Sequence, residues 1–588
     1  MITKDITEAI QQALKDLGVR TSEAELTHPA ELSHGDYSTN VALIYAKELK
    51  MKPKELAERL LQGLTLNLQK GQTFVSRVEI AGAGFINFYL SKEFFANAVR
   101  EVGDDFGKNK IRAGEKIFFE HTQPNPFKEF HIGHLMNNII GEATSRVLEW
   151  NGAKLMRATY HGDVGLHVAK SLWGLRRMEP KMLDISVLGR AYAMGNEAYE
   201  ADIAAKQDII ALNKALYAKS DPKLMKLYEE GRVVSLEHFE LLYKKLGSSF
   251  DIHFFESEAG EVGSKLVREA IGSVFEESEG AVVYKGEQDG LHTRVFLNSE
   301  GLPTYEAKEV GLAQLKRKKF AYDRSITVTA NEQNDFFKVV EKAVEKLFPE
   351  LKGKLQHLSH GVLKLSTGKM SSRTGTIISA ESLIEQVKKL VKAKVEEPAS
   401  AQGSGLARRE MSEKEKEELS EIVAIGAIKY SILRQAIGGD TIFDFEKSIS
   451  FEGDSGPYLQ YSYVRAKSVL EKAKEVLGVA DVVDVVDVGN VLDARHLTHI
   501  QHVQPTTLER LLCRFPEVVE RAGKEMEPHY ITTYLTGLAG TFNSWYAHEK
   551  IVDASDPTSP YKVALTSAFS IVMKNGLWLL GIGVPTRM

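Results

Sequence analysis

The sequence has a single cysteine, Cys513, in 588 residues, which excludes a disulfide framework and any zinc site built from several thiolates. It has no apolar run long enough to cross a membrane as a helix. The formal net charge is −5, so no overall positive charge points to a nucleic acid, although local basic patches are compatible with that total. The opening segment is a mixed-charge amphipathic pattern, neither a signal nor a transit peptide. We therefore expect a cytoplasmic protein without structural zinc and without a membrane partner.

The length predicts more than one hydrophobic core, because single cores stop growing at about 250–300 residues. Hydrophobic residues make up 43% of the chain and charged residues 26%, a balance typical of globular proteins. The pattern predicts a multidomain protein: a small N-terminal α/β domain, a doubly wound α/β domain with a largely helical insertion, a linker, and an all-α bundle at the C-terminus. The expected boundaries are 1–108, 109–392 with the insertion at about 172–298, 393–415, and 416–588.

Short apolar segments separated by helical patterns predict a parallel sheet in the second domain. Its predicted strands are Lys116–Glu120, Leu155–Tyr160, Ser325–Thr329 and Gly361–Leu365. The elements predicted for the N-terminal domain are helices at Ile6–Leu17 and Pro53–Leu61 and strands at Phe74–Ala81 and Phe85–Leu90. The insertion is predicted to be helical with a short β stretch at Ala281–Leu297.

The most informative segment begins at Lys116, ends at His134 and reads KIFFEHTQPNPFKEFHIGH. It consists of a predicted strand, a loop with two prolines, and a helix that opens with His131. The N-terminus of a helix attracts anions, because its unpaired N–H groups and its dipole both favour negative charge. Gly133 would let a flat base approach the backbone, and the two histidines can donate hydrogen bonds to phosphate oxygens. This segment therefore predicts a nucleotide site.

A second candidate phosphate loop lies between Ser366 and Gly375 and reads STGKMSSRTG. It places Lys369 and Arg373 between glycines. Taken alone, such a loop is a solvated turn. Its position directly after the predicted strand Gly361–Leu365 favours anion binding.

The HIGH and KMSSR segments, in this order and far apart in the chain, resemble the two signatures of the class I aminoacyl-tRNA synthetases. Within that class the sequence is similar to the arginyl-tRNA synthetases over essentially its whole length. The resemblance is carried by HGDY at His34–Tyr37, Asn125-Pro126, HGDVG at His161–Gly165, Pro303–Tyr305 with Glu309, SGPYLQY at Ser455–Tyr461, and the C-terminal segment from Tyr534 to Met588. It implies a Rossmann-like catalytic domain, an N-terminal domain that contacts the tRNA elbow, and a helical anticodon-binding domain.

The resemblance also implies the reaction of an arginine–tRNA ligase. The carboxylate of L-arginine attacks the α-phosphate of ATP, pyrophosphate leaves, and the arginyl group passes to the terminal adenosine of tRNA(Arg). Mg²⁺ accompanies the ATP, and the expected state is a monomer. Neither step needs a protein nucleophile, so catalysis rests on positioning and on stabilising charge at the phosphate oxygens.

By resemblance, the catalytic residues are His131, His134, Lys369 and Lys128, and the division of labour between the two lysines stays open. The residues expected to bind ATP are His131, Gly133, His134, Lys369, Met370, Ser371 and Ser372. Ser372 and Arg373 depart from the family, which usually has lysine and serine at these positions.

A guanidinium group is best held by carboxylates and a phenol or amide in fixed geometry. By resemblance, Tyr305 and Glu309 hold the guanidinium of arginine, while Asn125 and Gln333 hold its α-ammonium group. Glu120 adds a negative charge whose partner the sequence does not identify. Glu309 stands where the family more often has aspartate, and a carboxylate misplaced by about one bond length can cost roughly tenfold in rate.

Other interpretations fit parts of the sequence. His131 and His134 could bind a metal or lie in the core, and Tyr305 and Glu309 could be an ordinary pair on a helix face. The segment NEQN offers side chains other than Gln333 for the α-ammonium group. The alternative functions are another class I synthetase or adenylyl transferase, and a non-catalytic tRNA-binding paralogue. The retained lysine of the second signature loop argues against the paralogue.

Overall fold

The structure is a computed structural model that describes residues 2–19, 24–70, 74–366, 378–396, 411–477 and 505–588, with only the backbone described at 65–70. The chain forms two compact units. The smaller unit comprises Met1–Phe106, Arg465–Pro516 and Gly537–Asn575, and the larger unit comprises Gly107–Val464, Glu517–Thr536 and Gly576–Met588. The predicted loop around Lys369 and most of the predicted linker lie outside the described residues.

The helices of the described residues are numbered in chain order: α1 (Ile2–Asp16), α2 (Val41–Tyr45), α3 (Pro53–Lys70), α4 (Lys92–Arg100), α5 (Ile132–Trp150), α6 (Leu166–Met178), α7 (Ile185–Ala201), α8 (Ile203–Ala218), α9 (Pro222–Leu246), α10 (Glu256–Glu269), α11 (Tyr305–Lys319), α12 (Asn334–Leu347), α13 (Ala380–Glu396), α14 (Glu413–Leu433), α15 (Phe445–Ser448), α16 (Gly456–Leu477), α17 (Thr507–Glu525), α18 (His529–His548) and α19 (Ser559–Leu579). Within this described part, no helix has the length and apolarity needed to cross a membrane.

The strands are β1 (Tyr37–Thr39), β2 (Val75–Ala81), β3 (Phe85–Leu90), β4 (Lys116–Glu120), β5 (Lys154–His161), β6 (Ile252–Phe255), β7 (Glu276–Ser278), β8 (Ala281–Tyr284), β9 (Arg294–Leu297), β10 (Arg324–Ala330), β11 (Leu355–His360), β12 (Leu363–Leu365) and β13 (Thr441–Phe443).

The smaller unit contains a three-stranded antiparallel sheet in the order β1-β3-β2. Asp36, buried just before β1, accepts a 2.8 Å hydrogen bond from the backbone N–H of Leu90 and forms an ion pair with Arg510 of α17. Gly35 has a φ of 95°, and a Cβ there would lie 2.7 Å from the carbonyl oxygen of Phe88. The HGDY segment is therefore built into the packing of this unit, where glycine and aspartate are both required.

The strands predicted for this unit are confirmed, β3 at both ends and β2 to within one residue. The helix predicted at Pro53–Leu61 is longer than expected, because α3 continues past Gly63 to Lys70. A Cβ at Gly63 would lie 3.3 Å from the Cβ of Ala13 in α1. The glycine thus allows two helices to approach closely and does not mark a helix end.

The larger unit is built on a five-stranded parallel sheet in the order β11-β10-β4-β5-β6. The central strand β4 coincides with its prediction, and β5 and β10 agree to within one residue at each end. Four of the five residues of β4 are buried, as expected for a parallel strand that helices cover on both faces. The predicted parallel sheet is therefore confirmed.

The prediction that Gly361–Leu365 forms a strand of this sheet was wrong. Only Leu363–Leu365 is extended, and it pairs with β13 in a separate two-stranded parallel sheet. The edge of the central sheet is β11, whose residues are mostly half-buried and mix polar with apolar side chains. A Cβ at Gly361 would overlap the carbonyl group of Gly439, so the close approach of these two backbones requires glycine.

The region between β5 and β10 is largely helical, as predicted for the insertion, and contains the antiparallel sheet β7-β8-β9. The predicted β stretch at Ala281–Leu297 corresponds to β8 and β9. The region also contains β6, which was not predicted and which adds the outermost strand of the central sheet beside β5. The carboxyl end of β6 leads directly into α10.

Two buried or half-buried cations tie helix ends together in the larger unit. Arg146 of α5 and Lys429 of α14 donate hydrogen bonds to four backbone carbonyl oxygens: Gly247 (2.6 Å) and Trp578 (2.7 Å) for Arg146, and Leu246 (2.6 Å) and Gly581 for Lys429. These carbonyls lie at or just beyond the ends of α9 and α19, where they lack partners within their own helix. Burial lowers the pKa of Lys429 to about 7.

Helices α10 and α11 pack with their backbones in near contact. A Cβ at Gly311 would overlap the carbonyl oxygen of Ala259, and one at Gly263 would overlap that of Ala307. Because Glu309 lies on α11 beside this contact, the glycines determine how closely its helix approaches α10.

Gly311→Ala is expected to lower the free energy of unfolding of the larger unit by about 1–3 kcal/mol, because the added methyl forces the helices apart. Gly537→Ala is the control: it lies inside α18, and a Cβ there has no neighbour within 4 Å. The control should be neutral or stabilising by up to about 1 kcal/mol, since alanine favours helix. Calorimetric unfolding of both variants checks the expectation, and equal changes in both would contradict it.

Candidate active site

The helix α5 begins with two histidines that cap its N-terminus. The Nδ1 atom of His131 accepts hydrogen bonds from the backbone N–H groups of Gly133 (3.1 Å) and His134 (3.4 Å). The Nδ1 atom of His134 accepts in return from the backbone N–H of His131 at 3.3 Å. The rings stack with centroids 3.6 Å apart. Because each Nδ1 is an acceptor, each neutral ring carries its proton on Nε2 and can donate it to a ligand.

Both histidines are neutral at physiological pH. Burial, with a smaller effect of the Lys128 charge, lowers the pKa of His131 to about 4. Burial also holds the pKa of His134 well below its usual range, assisted by the charges of His131 and Lys128. The site therefore offers Nε2–H donors at the positive end of a helix dipole, which suits phosphate oxygens.

The loop before α5 holds an unusual backbone. Thr122, Gln123 and Phe127 have φ values of 79°, 47° and 66°, in the left-handed region that non-glycine residues rarely occupy. Asn137 of α5 fixes this loop by accepting a 2.8 Å hydrogen bond from the N–H of Thr122 and donating one of 2.8 Å to the carbonyl of Val328. Such strain persists only where surrounding contacts maintain it, and it clusters at functional sites.

The residues that follow the predicted second signature loop lie against the start of α5. Lys369, Met370, Ser371 and Ser372 lie outside the described residues. The residues directly after that gap are described: the N–H of Ile132 donates to the carbonyl of Ile378 (3.1 Å), and the N–H of Ala380 donates to that of Phe130 (2.8 Å). The C-terminal flank of the loop therefore runs along the start of α5.

Lys128 lies in the same loop as the histidines. Its ammonium nitrogen is 4.6 Å from the centroid of the Tyr192 ring, a cation–π distance, and Tyr192 belongs to α7. The charge of Lys128 acts on His131, His134 and His167, because it lowers the pKa of all three. The structure thus places Lys128 beside the histidine pair.

Asn125 packs against the HGDVG turn after β5. A Cβ at Gly162 would overlap the amide oxygen of Asn125, so glycine is needed for this contact. Asp163 of the turn is buried and accepts hydrogen bonds from the hydroxyl of Tyr228 (2.8 Å) and from the N–H of Ser257 (2.9 Å). Asp163 therefore ties the turn to α9 and α10, and Asn125 rests on a fixed surface.

The carboxylates near α11 are mostly paired with cations from the chain itself. The nearest atoms are Glu120 Oε2 to Lys316 Nζ at 2.7 Å, Glu256 Oε2 to Lys308 Nζ at 2.6 Å, and Glu306 Oε1 to Arg294 Nη1 at 3.1 Å. Glu120 also accepts a 2.6 Å hydrogen bond from Gln123. The partner that the sequence did not identify for Glu120 is therefore Lys316.

Glu309 differs from these carboxylates. It is partly buried, and among the described residues it has no ion-pair or hydrogen-bond partner. Burial, followed by the negative charge of Glu120, raises the pKa of Glu309 to about 8, and Lys316 opposes this shift. Tyr305, at the first residue of α11, is 62% exposed and lies one turn before Glu309. A positively charged ligand at Glu309 would relieve the repulsion.

The remaining predicted residue, Gln333, ends a single helical turn that follows β10. Glu120 ends β4, the neighbouring strand, so both residues lie at the carboxyl edge of the parallel sheet. Ligands of open α/β sheets bind outside the carboxyl ends of the strands. Gln333 and Glu120 are therefore at the correct edge for a substrate.

Three family models match the chain. One described as tRNA synthetases class I (R), catalytic domain, matches residues 100–445; the DALR anticodon binding domain matches 459–588; and the arginyl tRNA synthetase N terminal domain matches 4–90. The chain belongs to the class I arginyl-tRNA synthetases. Membership makes it an aminoacyl-tRNA ligase with ATP as a substrate.

Relatives and solved structures agree with this family. The arginine–tRNA ligase of Fusobacterium nucleatum is 27% identical over 100% of this chain and 99% of its own length. That of Bacteroides thetaiotaomicron is 27% identical over 94% of each chain. The arginyl-tRNA synthetase of Thermus thermophilus superimposes with a TM-score of 0.77 at 25% identity, covering 100% of both chains. That of Plasmodium falciparum shares the fold, with a TM-score of 0.76 at 21% identity over 100% of this chain and 99% of its own.

The sequence did not reveal the paired cations of this synthetase site. Lys308 and Lys316 lie on α11 among several other basic residues, and their partners lie 52 and 196 residues away. The spacing of 308 and 316 by two helical turns was the only available signal, because it puts both on one face of α11. Tyr160, buried at the carboxyl end of β5, was also missed.

The neutral state of His131 can be measured directly in the free synthetase. With a pKa of about 4, its ring should stay neutral at pH 6, so a histidine-selective NMR titration should show no protonation of this residue between about pH 6 and 7. The spectrum of His131→Asn identifies the signal. Because the unfolded chain takes up this proton below about pH 6.5 and the folded chain only near pH 4, stability should fall as the pH falls through that window. A signal that titrates between pH 6 and 7 would contradict the neutral donor.

Proposed function

We propose that this chain activates L-arginine with ATP, forming arginyl-adenylate and pyrophosphate, and transfers arginine to the terminal adenosine of tRNA(Arg). The observation that carries the proposal is the pairing of two groups: Glu309 of α11, which has no ion-pair partner among the described residues, and the neutral histidine pair at the start of α5. Glu309 suits a cationic amino acid, and the histidine pair suits phosphate oxygens. An enzyme that joins arginine to the α-phosphate of ATP needs both.

In the first step, the Nε2–H groups of His131 and His134 and the N-terminus of α5 bind the phosphates of ATP. They stabilise the charge that develops on the α-phosphate as the arginine carboxylate attacks. Lys128 and Lys369 supply positive charge to the leaving pyrophosphate. Mg²⁺ enters as part of the ATP substrate, because phosphate oxygens are its usual ligands in such sites. Gly133, Met370, Ser371 and Ser372 line the nucleotide.

Arginine is held at both ends. Glu309 and the Tyr305 hydroxyl accept hydrogen bonds from the guanidinium, whose planar fork of donors matches such acceptors. Asn125 and Gln333 hold the α-ammonium group at the carboxyl edge of the sheet. Glu120, paired with Lys316, contributes an oriented carboxylate close to Glu309.

The tRNA is bound by the terminal regions. The anticodon is read by the helical region proposed at 416–588, and the elbow is contacted by the region proposed at 1–108, with a linker at 393–415 and the catalytic domain at 109–392. We place the protein in the cytoplasm as a monomer. The family models for an anticodon binding domain and an arginyl N-terminal domain support these assignments.

The test is aminoacylation of unfractionated tRNA with each labelled amino acid in turn, in the presence of ATP and Mg²⁺. Arginine alone should be charged. Lys369→Ala should weaken charging, whereas Lys364→Ala, at an exposed lysine of β12 that pairs with Asp440, should not. Charging with another amino acid would overturn the pocket assignment. Retention of tRNA on a filter without any charging would favour the non-catalytic paralogue.

A further inference from the structure

Tyr160 carries a buried hydroxyl for which the described part of the chain provides no hydrogen-bond partner. The residue lies near the carboxyl end of β5 and packs into the core with Ala259 of α10 and with Ala307 and Val310 of α11. The side chain is 92% buried, since only 8% remains exposed, and its hydroxyl has no hydrogen-bond partner among the described residues. A polar group that is buried and unpaired loses its hydration without compensation, so a native structure that keeps one needs a reason.

The charges of several acidic side chains act on this hydroxyl. Burial raises the pKa of Tyr160 well above its usual range, and the charges of Glu256, Glu309, Glu120 and Asp163 raise it further, in that order. The phenol is therefore protonated at physiological pH. Its oxygen can donate a hydrogen bond to a carboxylate and accept one from a cationic donor.

The local ion pairs leave room for one more cation. Three carboxylates already have a cation: Glu256 forms an ion pair with Lys308, Glu120 with Lys316, and Glu306 with Arg294. Glu309 is the carboxylate of this group for which the described residues provide no cation. Tyr160 shares its core cluster with Ala307 and Val310, which flank Glu309 on α11, and Glu309 acts on the pKa of the Tyr160 hydroxyl. One ligand that carries a positive charge and several donors would ionise Glu309 and donate to the hydroxyl oxygen of Tyr160.

We propose that Tyr160 is a further specificity-determining residue of the arginine site, whose hydroxyl oxygen accepts an N–H of the substrate guanidinium while Glu309 supplies the negative charge. The inference rests on the proposed function and adds to it a residue that does not belong to either signature. A guanidinium presents five donors in a rigid plane, so it can reach two acceptors at once. A lysine ammonium offers a compact charge and lacks that planar fork.

The variant Tyr160→Phe removes the hydroxyl and keeps the ring that packs between α10 and α11. We expect the KM for arginine to rise about tenfold, while kcat changes by less than about twofold and the KM for ATP is unchanged. The inhibition constant of propylguanidinium, which lacks the α-amino and carboxylate groups, should rise by the same factor. Pyrophosphate exchange with tRNA present measures all three quantities.

Tyr243→Phe is the matched control. Tyr243 is also buried, its hydroxyl interacts with the side chain of Thr159, and its ring packs against Phe250, just before β6. It should leave the KM for arginine unchanged. A wild-type KM in Tyr160→Phe, an equal rise in both variants, or a rise that propylguanidinium does not share would overturn the role of Tyr160. Wild-type protein that fails to charge tRNA with arginine would overturn the proposed function itself.

Discussion

Glu309→Gln is expected to lower kcat/KM for arginine by about two to three orders of magnitude, mainly through KM. Removing one partner of a buried, hydrogen-bonded charge pair costs about 2–5 kcal/mol, and every 1.4 kcal/mol is tenfold. The proposed pair between Glu309 and the guanidinium would meet the condition, because burial raises the pKa of Glu309 and no cation among the described residues forms an ion pair with it. Glutamine keeps the length of the side chain and replaces one acceptor oxygen by a donor, which would face the guanidinium donors directly.

The dependence on pH gives this expectation a second test. Burial and the charge of Glu120 raise the pKa of Glu309 to about 8, so in the proposed site arginine has to displace a proton in order to bind below that pH. The KM for arginine should therefore fall as the pH rises toward 8 and level off above it, by at most about tenfold per pH unit. In Glu309→Gln the same plot should be flat. The pH range must be scanned at saturating ATP so that only arginine binding limits the rate.

The control carboxylate is Glu341 on α12. Burial, followed by the charge of Glu345, raises the pKa of Glu341 to about 7, so it titrates in a similar range, and it lines the same cavity as Glu309 from a different helix. Glu341→Gln should leave both the KM for arginine and its pH dependence unchanged. If the pH dependence vanished in Glu341→Gln and survived in Glu309→Gln, the cation site would have to be moved to α12.

His131→Asn is expected to reduce kcat for arginine activation by about 10²–10³ without loss of stability. Asparagine is among the preferred N-cap residues, so it can replace the cap that the His131 Nδ1 makes to the start of α5. It cannot place a donor where the His131 Nε2–H points, and loss of one such donor costs about two to three orders of magnitude in other enzymes. Pyrophosphate exchange at saturating substrates measures the change.

His131→Ala separates the two contributions of this residue. It removes both the donor and the cap. We therefore expect the same kcat as in His131→Asn and a free energy of unfolding that is lower by about 0.5–2 kcal/mol. An activity within tenfold of wild type in His131→Asn would mean that the ring serves only as a helix cap.

The fold could be predicted from sequence where strands are covered on both faces. β4, β5 and β10 lie inside the sheet, and each reads as a short apolar run between helical patterns. The two strands of this sheet that were missed, β6 and β11, are its two edges. Edge strands are kept short and partly polar, which limits pairing with other chains and also removes the apolar run that identifies a strand.

The site was predictable only as far as its residues stand in motifs. His131, His134 and Asn125 were found because they occur in fixed order beside a strand end. The lysines that pair with the carboxylates were not predicted. Lys316, for example, pairs with Glu120, which lies 196 positions earlier, and only the folded chain brings the two together. The sequence also could not show that the Tyr160 hydroxyl has no hydrogen-bond partner among the described residues, because this depends on which side chains pack around it in the fold.

Arg146, near the C-terminal end of α5, holds this helix to the ends of two other helices. Its nineteen residues span about 28 Å at 1.5 Å each, with His131 at one end and Arg146 near the other. Arg146 donates a hydrogen bond to the carbonyl oxygen of Trp578 in the last turn of α19. A helix is stiff over this length. The hydrogen bond from Arg146 to Trp578 therefore helps to fix the orientation of the His131 ring, although Trp578 lies more than four hundred positions later in the chain.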